Sequence, residues 1–139
     1  MGTDVLLRIV TPERIVYEDR VDMVIARGLE GDLGILFDHK PMVTPLKIGV
    51  LKIKKGKKFH PVAISGGGVL EIKTDLITVL ADAAELPEEI DVERARAARK
   101  KAEDLLARGE DSDVDWARAQ AALRRSMARL TTVEEYYKH

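Results

Sequence analysis

The chain has 139 residues, no cysteine and a formal net charge of -1 at pH 7. That length holds one ordinary domain, or a small domain with an appendage. The lack of thiols excludes disulfides and thiolate metal sites, and near-neutrality excludes the basic excess that general nucleic-acid binding requires. Charged residues still make up 34% of the chain, so neutrality is a balance of many charges and local patches remain.

The opening run, Met1 to Val10, carries Asp4 and Arg8 among its apolar residues, which fits neither a signal peptide nor a transit peptide. No apolar run approaches the ~20 residues of a membrane span. The expectation is a soluble or peripheral protein whose membrane contact passes through a partner.

Residues 5–81 hold most of the β-branched residues, nearly all the glycines and four of the five prolines. Strands are predicted at Val5–Val10, Arg14–Glu18, Val21–Arg27, Leu33–Phe37, Ile48–Lys54, His60–Ser65, Val69–Lys73 and Leu76–Ala81. Leu51 and Ile53 alternate with Lys52 and Lys54, so one face is apolar and the other charged. Thr11-Pro12 and Lys55-Gly56-Lys57 are turn signals. Many short strands separated by turns imply a sandwich or small barrel, because closure removes exposed strand edges.

Composition changes near Pro87. Residues 88–139 contain ten alanines, one glycine and no proline. The division is a β head over 1–86 and a helical hairpin over 87–139. Asp91 is placed to cap the first helix and Gly109 to end it in a left-handed conformation. Its apolar stripe is Ala95, Ala98, Ala102, Leu105 and Leu106. Ser112 is placed to cap the second helix, with Asp115 three residues on. The stripe there is Trp116, Ala119, Leu123, Met127 and Leu130. The short link, Gly109 to Asp111, makes the helices antiparallel neighbours. Alanine stripes bury little area per contact at ~25 cal/mol per Å², so the hairpin is expected to be weakly held and able to open.

No paired carboxylates, metal cluster or nucleophile elbow stands out, so no catalytic residue and no metal ligand is assigned. His39, His60 and His139 lie far apart in sequence and outside metal-ligand spacing. Asp38 could orient His39, but no nucleophile is placed beside it, and a surface or interface histidine is the favoured reading. Gly66-Gly67-Gly68 lacks the Gly-Lys-Ser/Thr and following helix of a phosphate loop. A tight turn or bulge needing positive φ is favoured there. Five basic residues and no acid lie between Arg94 and Lys101; four and no acid lie between Arg118 and Arg129. Such faces are most simply solvated, but folded together they could serve an anion, since guanidinium forks suit phosphate oxygens. A docking face for an acidic partner helix is a third reading.

Three segments together resemble the epsilon subunit of F-type ATP synthases: Glu30-Gly31-Asp32-Leu33-Gly34-Ile35-Leu36-Phe37-Asp38-His39-Lys40-Pro41, Ser65-Gly66-Gly67-Gly68-Val69-Leu70-Glu71-Ile72 with Val79 to Glu85, and Ile90-Asp91-Val92-Glu93-Arg94-Ala95. Their order and spacing cover essentially the whole chain. The resemblance implies an α+β fold, a ten-stranded β-sandwich followed by a C-terminal antiparallel αα-hairpin. It implies a non-catalytic rotor subunit of a proton-translocating enzyme, peripheral on the cytoplasmic face of a bacterial plasma membrane. The head would bind the gamma subunit and the c-ring, with the loop carrying Glu30, Asp32 and His39 in the contact region. The hairpin would lie folded on the head or extend along gamma, where its basic helix would meet acidic residues of a beta subunit and inhibit ATP hydrolysis.

Some bacterial members of that family bind ATP in the folded hairpin. The matching residues here are Glu85, Ile90, Asp91, Arg94, Ala95, Arg125 and Arg129, with Lys101 at one family arginine. Lysine keeps the charge and loses the planar fork. ATP is thus the implied regulatory ligand, alone or with Mg2+. Leu36-Phe37-Asp38-His39 stands where the family has Leu-Pro-Gly-His, so that turn is built without proline or glycine. The reading from a different class is a stand-alone nucleotide-sensing domain that regulates another assembly; binding to gamma separates the two.

Overall fold

The computed structural model describes residues 4–109 and 113–138. Ten strands form the head: β1 Val5–Val10, β2 Ile15–Val21, β3 Met23–Gly28, β4 Gly31–Leu36, β5 Met42–Leu46, β6 Gly49–Lys55, β7 Lys58–Ile64, β8 Gly68–Ile72, β9 Leu76–Ala81 and β10 Ala84–Glu85. They pair in the order β10-β7-β6-β3-β5-β8-β9-β1-β2, with β4 added on β3. All the pairs are antiparallel except β1 with β9. The sheet curls until an ion pair joins Lys55 at the end of β6 to Asp19 on β2. This is the expected sandwich or near-closed barrel, and its strand count is the one implied by the resemblance.

Alternation builds the core. Leu7, Ile9, Leu51, Ile53, Leu70, Ile72 and Ile77 are fully buried, while their chain neighbours Arg8, Lys52 and Glu71 turn outward. Each such side chain contributes about 1.5–3 kcal/mol by leaving water. β5 and β10 are additions to the eight strands expected from alternation. Pro45 donates no backbone hydrogen bond and so obscures β5, while β10 has only two residues.

A 3-10 turn at Pro87–Glu89 leads into the hairpin, α1 Val92–Arg108 and α2 Asp113–Lys138. The expected caps of α1 are present. The Arg94 amide donates to Asp91 Oδ1 at 3.1 Å, and Gly109 at φ 63° donates to the Leu106 carbonyl at 3.2 Å. The expected cap at Ser112 and most of the link lie outside the described residues.

The expected apolar stripe of α2 needs correction. Trp116 and Met127 are 48% and 45% exposed, and among the helix's described side chains the buried ones are Ala119, Ser126, Ala128 and Thr132. The reason is that α2 packs on two partners, α1 on one side and β6 and β7 on the other. Helix and sheet approach closely only where side chains are small, so the bulky residues turn to solvent.

Candidate functional site

The hairpin residues assigned to a nucleotide fall into two groups. Glu85 on β10 and Arg129 on α2 are tied to each other: Nε and Nη2 donate to the two carboxylate oxygens, each at 2.9 Å. Both side chains are about a quarter exposed, so this planar fork is only partly solvated. One turn earlier, Arg125 Nε donates to the Ser65 carbonyl at 3.3 Å. These two arginines fasten α2 to the β7–β10 edge of the head. The rest lie at the start of α1, except Lys101, which sits near the middle of that helix. Asp91 is occupied as the helix cap, Ile90 is half-buried, and Ala95 is buried at 2% exposure. Arg94 and Lys101 are exposed, and among the described residues neither has an ion pair.

The linker has its own tie. Arg14 donates to Glu89 Oε1 at 2.7 Å, and the Leu86 amide donates to the same oxygen at 2.9 Å. The guanidinium hydrogen bond holds the Glu89 carboxyl below its ordinary range, and Glu89 in turn raises Arg14.

Glu30, Asp32 and His39 do not share one loop. Glu30 sits in the two-residue turn joining β3 to β4, Asp32 lies on β4 and pairs with Arg27 at 3.5 Å, and His39 follows the far end of β4. The intervening strand spans roughly 20 Å at 3.3 Å per residue, so a compact contact point cannot use all three. Asp38 does not orient the imidazole either. His39 Nδ1–H donates to the Lys40 carbonyl at 2.8 Å. Asp38 instead takes φ 67°, the left-handed conformation that aspartate tolerates better than most side chains. The turn therefore survives the absence of glycine by using the residue type next best suited to it.

The glycine run is structural, but not because it needs positive φ, which none of the three adopts. Close approach is the cause. A Cβ on Gly68 would collide with the Leu80 carbonyl, and one on Gly66 would sit 2.9 Å from the Ala83 amide nitrogen. A Cβ on Gly67 would make only an ordinary contact, with the Leu46 carbonyl at 3.7 Å.

Sequence reasoning missed an apolar row across the outer face of the head. Cross-strand pairing aligns Ile15, Val10, Leu80, Val69 and Pro45 on β2, β1, β9, β8 and β5. Ile15 is 57% exposed, Leu80 51% and Val69 38%. Val43, two residues from Pro45 and on the same face, is 66% exposed. Four strand spacings make the row roughly 19 Å wide. A continuous apolar stripe of that kind marks a protein contact surface rather than scattered exposure. Its signal in the sequence is broken alternation: Ile9-Val10, Val69-Leu70 and Val79-Leu80 put apolar residues on both faces.

Comparison with known proteins gives a consistent answer. Residues 4–87 match the family model described as ATP synthase, Delta/Epsilon chain, beta-sandwich domain. Residues 88–134 match ATP synthase, Delta/Epsilon chain, long alpha-helix domain. The ATP synthase epsilon chain of Desulforamulus reducens is 47% identical over 128 residues, covering 92% of this chain and 96% of that one. That of Halalkalibacterium halodurans is 48% identical over 124 residues, covering 89% and 92%. Among solved structures, a chain of the Euglena gracilis mitochondrial ATP synthase (OSCP/F1/c-ring, rotational state 1) aligns with TM-score 0.77 at 22% identity, over 98% of this chain and 82% of that one. At that identity the likeness speaks for the fold.

Proposed function

The chain belongs to the ATP synthase delta/epsilon chain family, and from that membership we propose that it is a non-catalytic central-stalk subunit whose head docks on the rotor and whose hairpin regulates ATP hydrolysis. The head would bind the gamma subunit and stand on the c-ring. The apolar row on β2, β1, β9, β8 and β5 is the surface suited to a large, stable contact with gamma. Glu30 and Asp32 at one end of β4 and His39 at the other belong to separate polar contacts. The chain reaches the membrane through the complex, on the cytoplasmic face in a bacterial cell. Among the described residues no helix is long and apolar enough to cross a membrane.

One observation carries the regulatory reading: the way α2 is held. Alanine, serine and threonine contacts, the Arg129–Glu85 fork and the Arg125 hydrogen bond join it to the head. Such an attachment is specific and releasable. Released, the hairpin offers its basic faces to an acidic segment of the beta subunit, and charge complementarity favours encounter.

ATP favours the folded state on this reading, by its differential affinity alone. Arg94, Lys101 and Arg125 would take phosphate oxygens. Arg129 still has Nη1 donors beyond those spent on Glu85. Asp91 and Glu85 are acceptors and suit ribose or base donors. The test is titration of the isolated chain with ATP, with and without Mg2+, reading Trp116 fluorescence. Saturation below millimolar ATP, lost on replacing Asp91 and Arg94 with alanine, is the expected result. A flat response sinks the ligand assignment, and failure to co-purify with gamma sinks the rotor assignment.

A further inference from the structure

Between the head and α2 lies a cavity of about 660 Å³. Its wall comes from the β3–β4 hairpin, the link from β5 to β6, Gly67 and one residue of α2. Among the described residues, the ionisable side chains lining it are Arg27, Lys47 and Arg124, and all three are basic. An adjoining cavity of about 330 Å³ shares Arg27 and Arg124 and adds Lys52, Asp32 and Glu135. Asp32 approaches Arg27 only to 3.5 Å, which is long for a hydrogen bond. Among the described residues, no ion pair occupies Lys47 or Arg124.

The backbone that carries the cluster is fixed, and its three basic side chains are exposed. The Lys47 amide donates to the Arg27 carbonyl at 3.0 Å, which sets those two residues side by side at the end of β3. Arg124 arrives from the helix one position before Arg125, which is itself tied to the Ser65 carbonyl. Gly67 adds an amide with no hydrogen-bond partner among the described residues, and a Cβ there would meet only the Leu46 carbonyl, at 3.7 Å. Arg27 is partly offset by Asp32 at 3.5 Å, but Lys47 and Arg124 have no ion pair among the described residues, and the remaining positive charge opposes docking of α2. A multivalent oxyanion reverses the sign. Two guanidinium groups and an ammonium suit phosphate oxygens as forks and a point charge.

We propose that this cavity is a phosphate-type oxyanion site, and that the bound anion clamps α2 to the head. Arg27 and Lys47 come from the head and Arg124 from α2, so full coordination exists only while the hairpin is docked. The anion therefore shifts the population towards the docked state. None of the three is among the residues assigned to ATP, so this site stands independently of that assignment.

The test uses the full chain with inorganic phosphate and pyrophosphate at constant ionic strength. Binding is read by calorimetry, and docking by hydrogen exchange of residues 119–132. Saturable binding is expected, with slower exchange in α2. A dissociation constant of ~1 mM would lower the open fraction about tenfold at 10 mM ligand. Lys47→Gln, on the head, and Arg124→Gln, on α2, should each weaken binding by about tenfold, the worth of a charged hydrogen bond of ~1.4 kcal/mol. Lys73→Gln, an exposed lysine that lines neither cavity and is not among the ATP residues, should leave it unchanged. Pyrophosphate binding more tightly than ATP marks an inorganic source, and the reverse order, with the same loss in Lys47→Gln, marks a nucleotide. The proposal is overturned if chloride at equal ionic strength slows exchange as well, if neither glutamine variant weakens binding, or if Arg94→Gln abolishes it. That last result would put the anion at the ATP residues and leave the nucleotide assignment standing.

Discussion

Arg129 on α2 grips Glu85 on β10 through two hydrogen bonds of 2.9 Å, across 44 positions of sequence. Both side chains are partly shielded from water, so removing one leaves the other partly desolvated without a partner. Arg129→Ala should cost about 1–2 kcal/mol of hairpin docking after allowing for the exposed quarter of each side chain. Arg129→Lys should recover only part, because the ammonium cannot make both bonds. Exchange of α2 amides against those of β6 and β7 measures it. A double-mutant cycle with Glu85→Gln should show the two losses to be strongly non-additive.

The tie between Arg14 and Glu89 gives a pH dependence with a definite sign. Hydrogen bonding to Arg14 lowers the Glu89 pKa in the folded state below the ordinary value of 4.5. The stabilisation is thus complete above the unfolded pKa and disappears as the pH falls through the lowered folded value. Urea midpoints of the wild type should exceed those of Glu89→Gln at pH 7. The gap should close as the pH falls through the lowered folded value. A gap that stays equal into acid would show that the carboxylate charge is not what matters.

Much of the head is legible because β6 alternates, so that a one-residue slip would expose Leu51 and Ile53, and because turn signals separate the other apolar runs. The caps of α1 are legible because Asp91 and Gly109 act within a few residues of themselves. What is not legible is long-range. Nothing in the spacing of Glu85 and Arg129 says that they meet. Nothing in the 3–4 spacing of α2 says that it faces two partners, which is why Trp116 and Met127 read as inward and stand outward. The same limit hid the apolar row, whose members are separated in sequence and joined only by strand pairing.

That row separates docking from folding. Leu80→Lys and Val69→Lys change exposed positions and should alter stability by no more than about 0.5 kcal/mol. Each should weaken capture by the gamma subunit by tenfold or more, roughly the 1.4 kcal/mol of one buried anchor lost. Co-elution of purified head variants with gamma reads the effect. Unchanged capture with unchanged melting would move the docking face elsewhere.

The glycine run separates close approach from loop freedom. Gly68→Ala forces a methyl group into the Leu80 carbonyl and the Ala81 backbone, where β8 and β9 pair. A cost of roughly 3 kcal/mol follows, at the upper end for overpacking because backbone must move. Gly67→Ala meets only the Leu46 carbonyl at 3.7 Å and should be nearly neutral. Thermal melts of the two variants distinguish this pattern from a phosphate loop, in which Gly67 would matter as much.

Thr132 ties the packing of α2 to its release. Its side chain is fully buried, and Oγ1 has no hydrogen-bond partner among the described residues. Ser65 Oγ, also fully buried, is in the same condition at the end of β7, the strand on which α2 packs. An orphaned buried hydroxyl costs about 1–3 kcal/mol relative to a satisfied one, so the docked state of α2 carries a penalty that water relieves when the helix leaves. Thr132→Val replaces that hydroxyl with a methyl group of similar shape and should favour docking by ~1 kcal/mol, slowing exchange of the surrounding α2 amides about fivefold. Under the proposed regulatory role, the same variant should shift the hairpin towards the folded state in the assembled complex and weaken inhibition of ATP hydrolysis. If exchange quickens instead, Thr132 is satisfied in solution and the ease of release must come from the small alanine contacts alone.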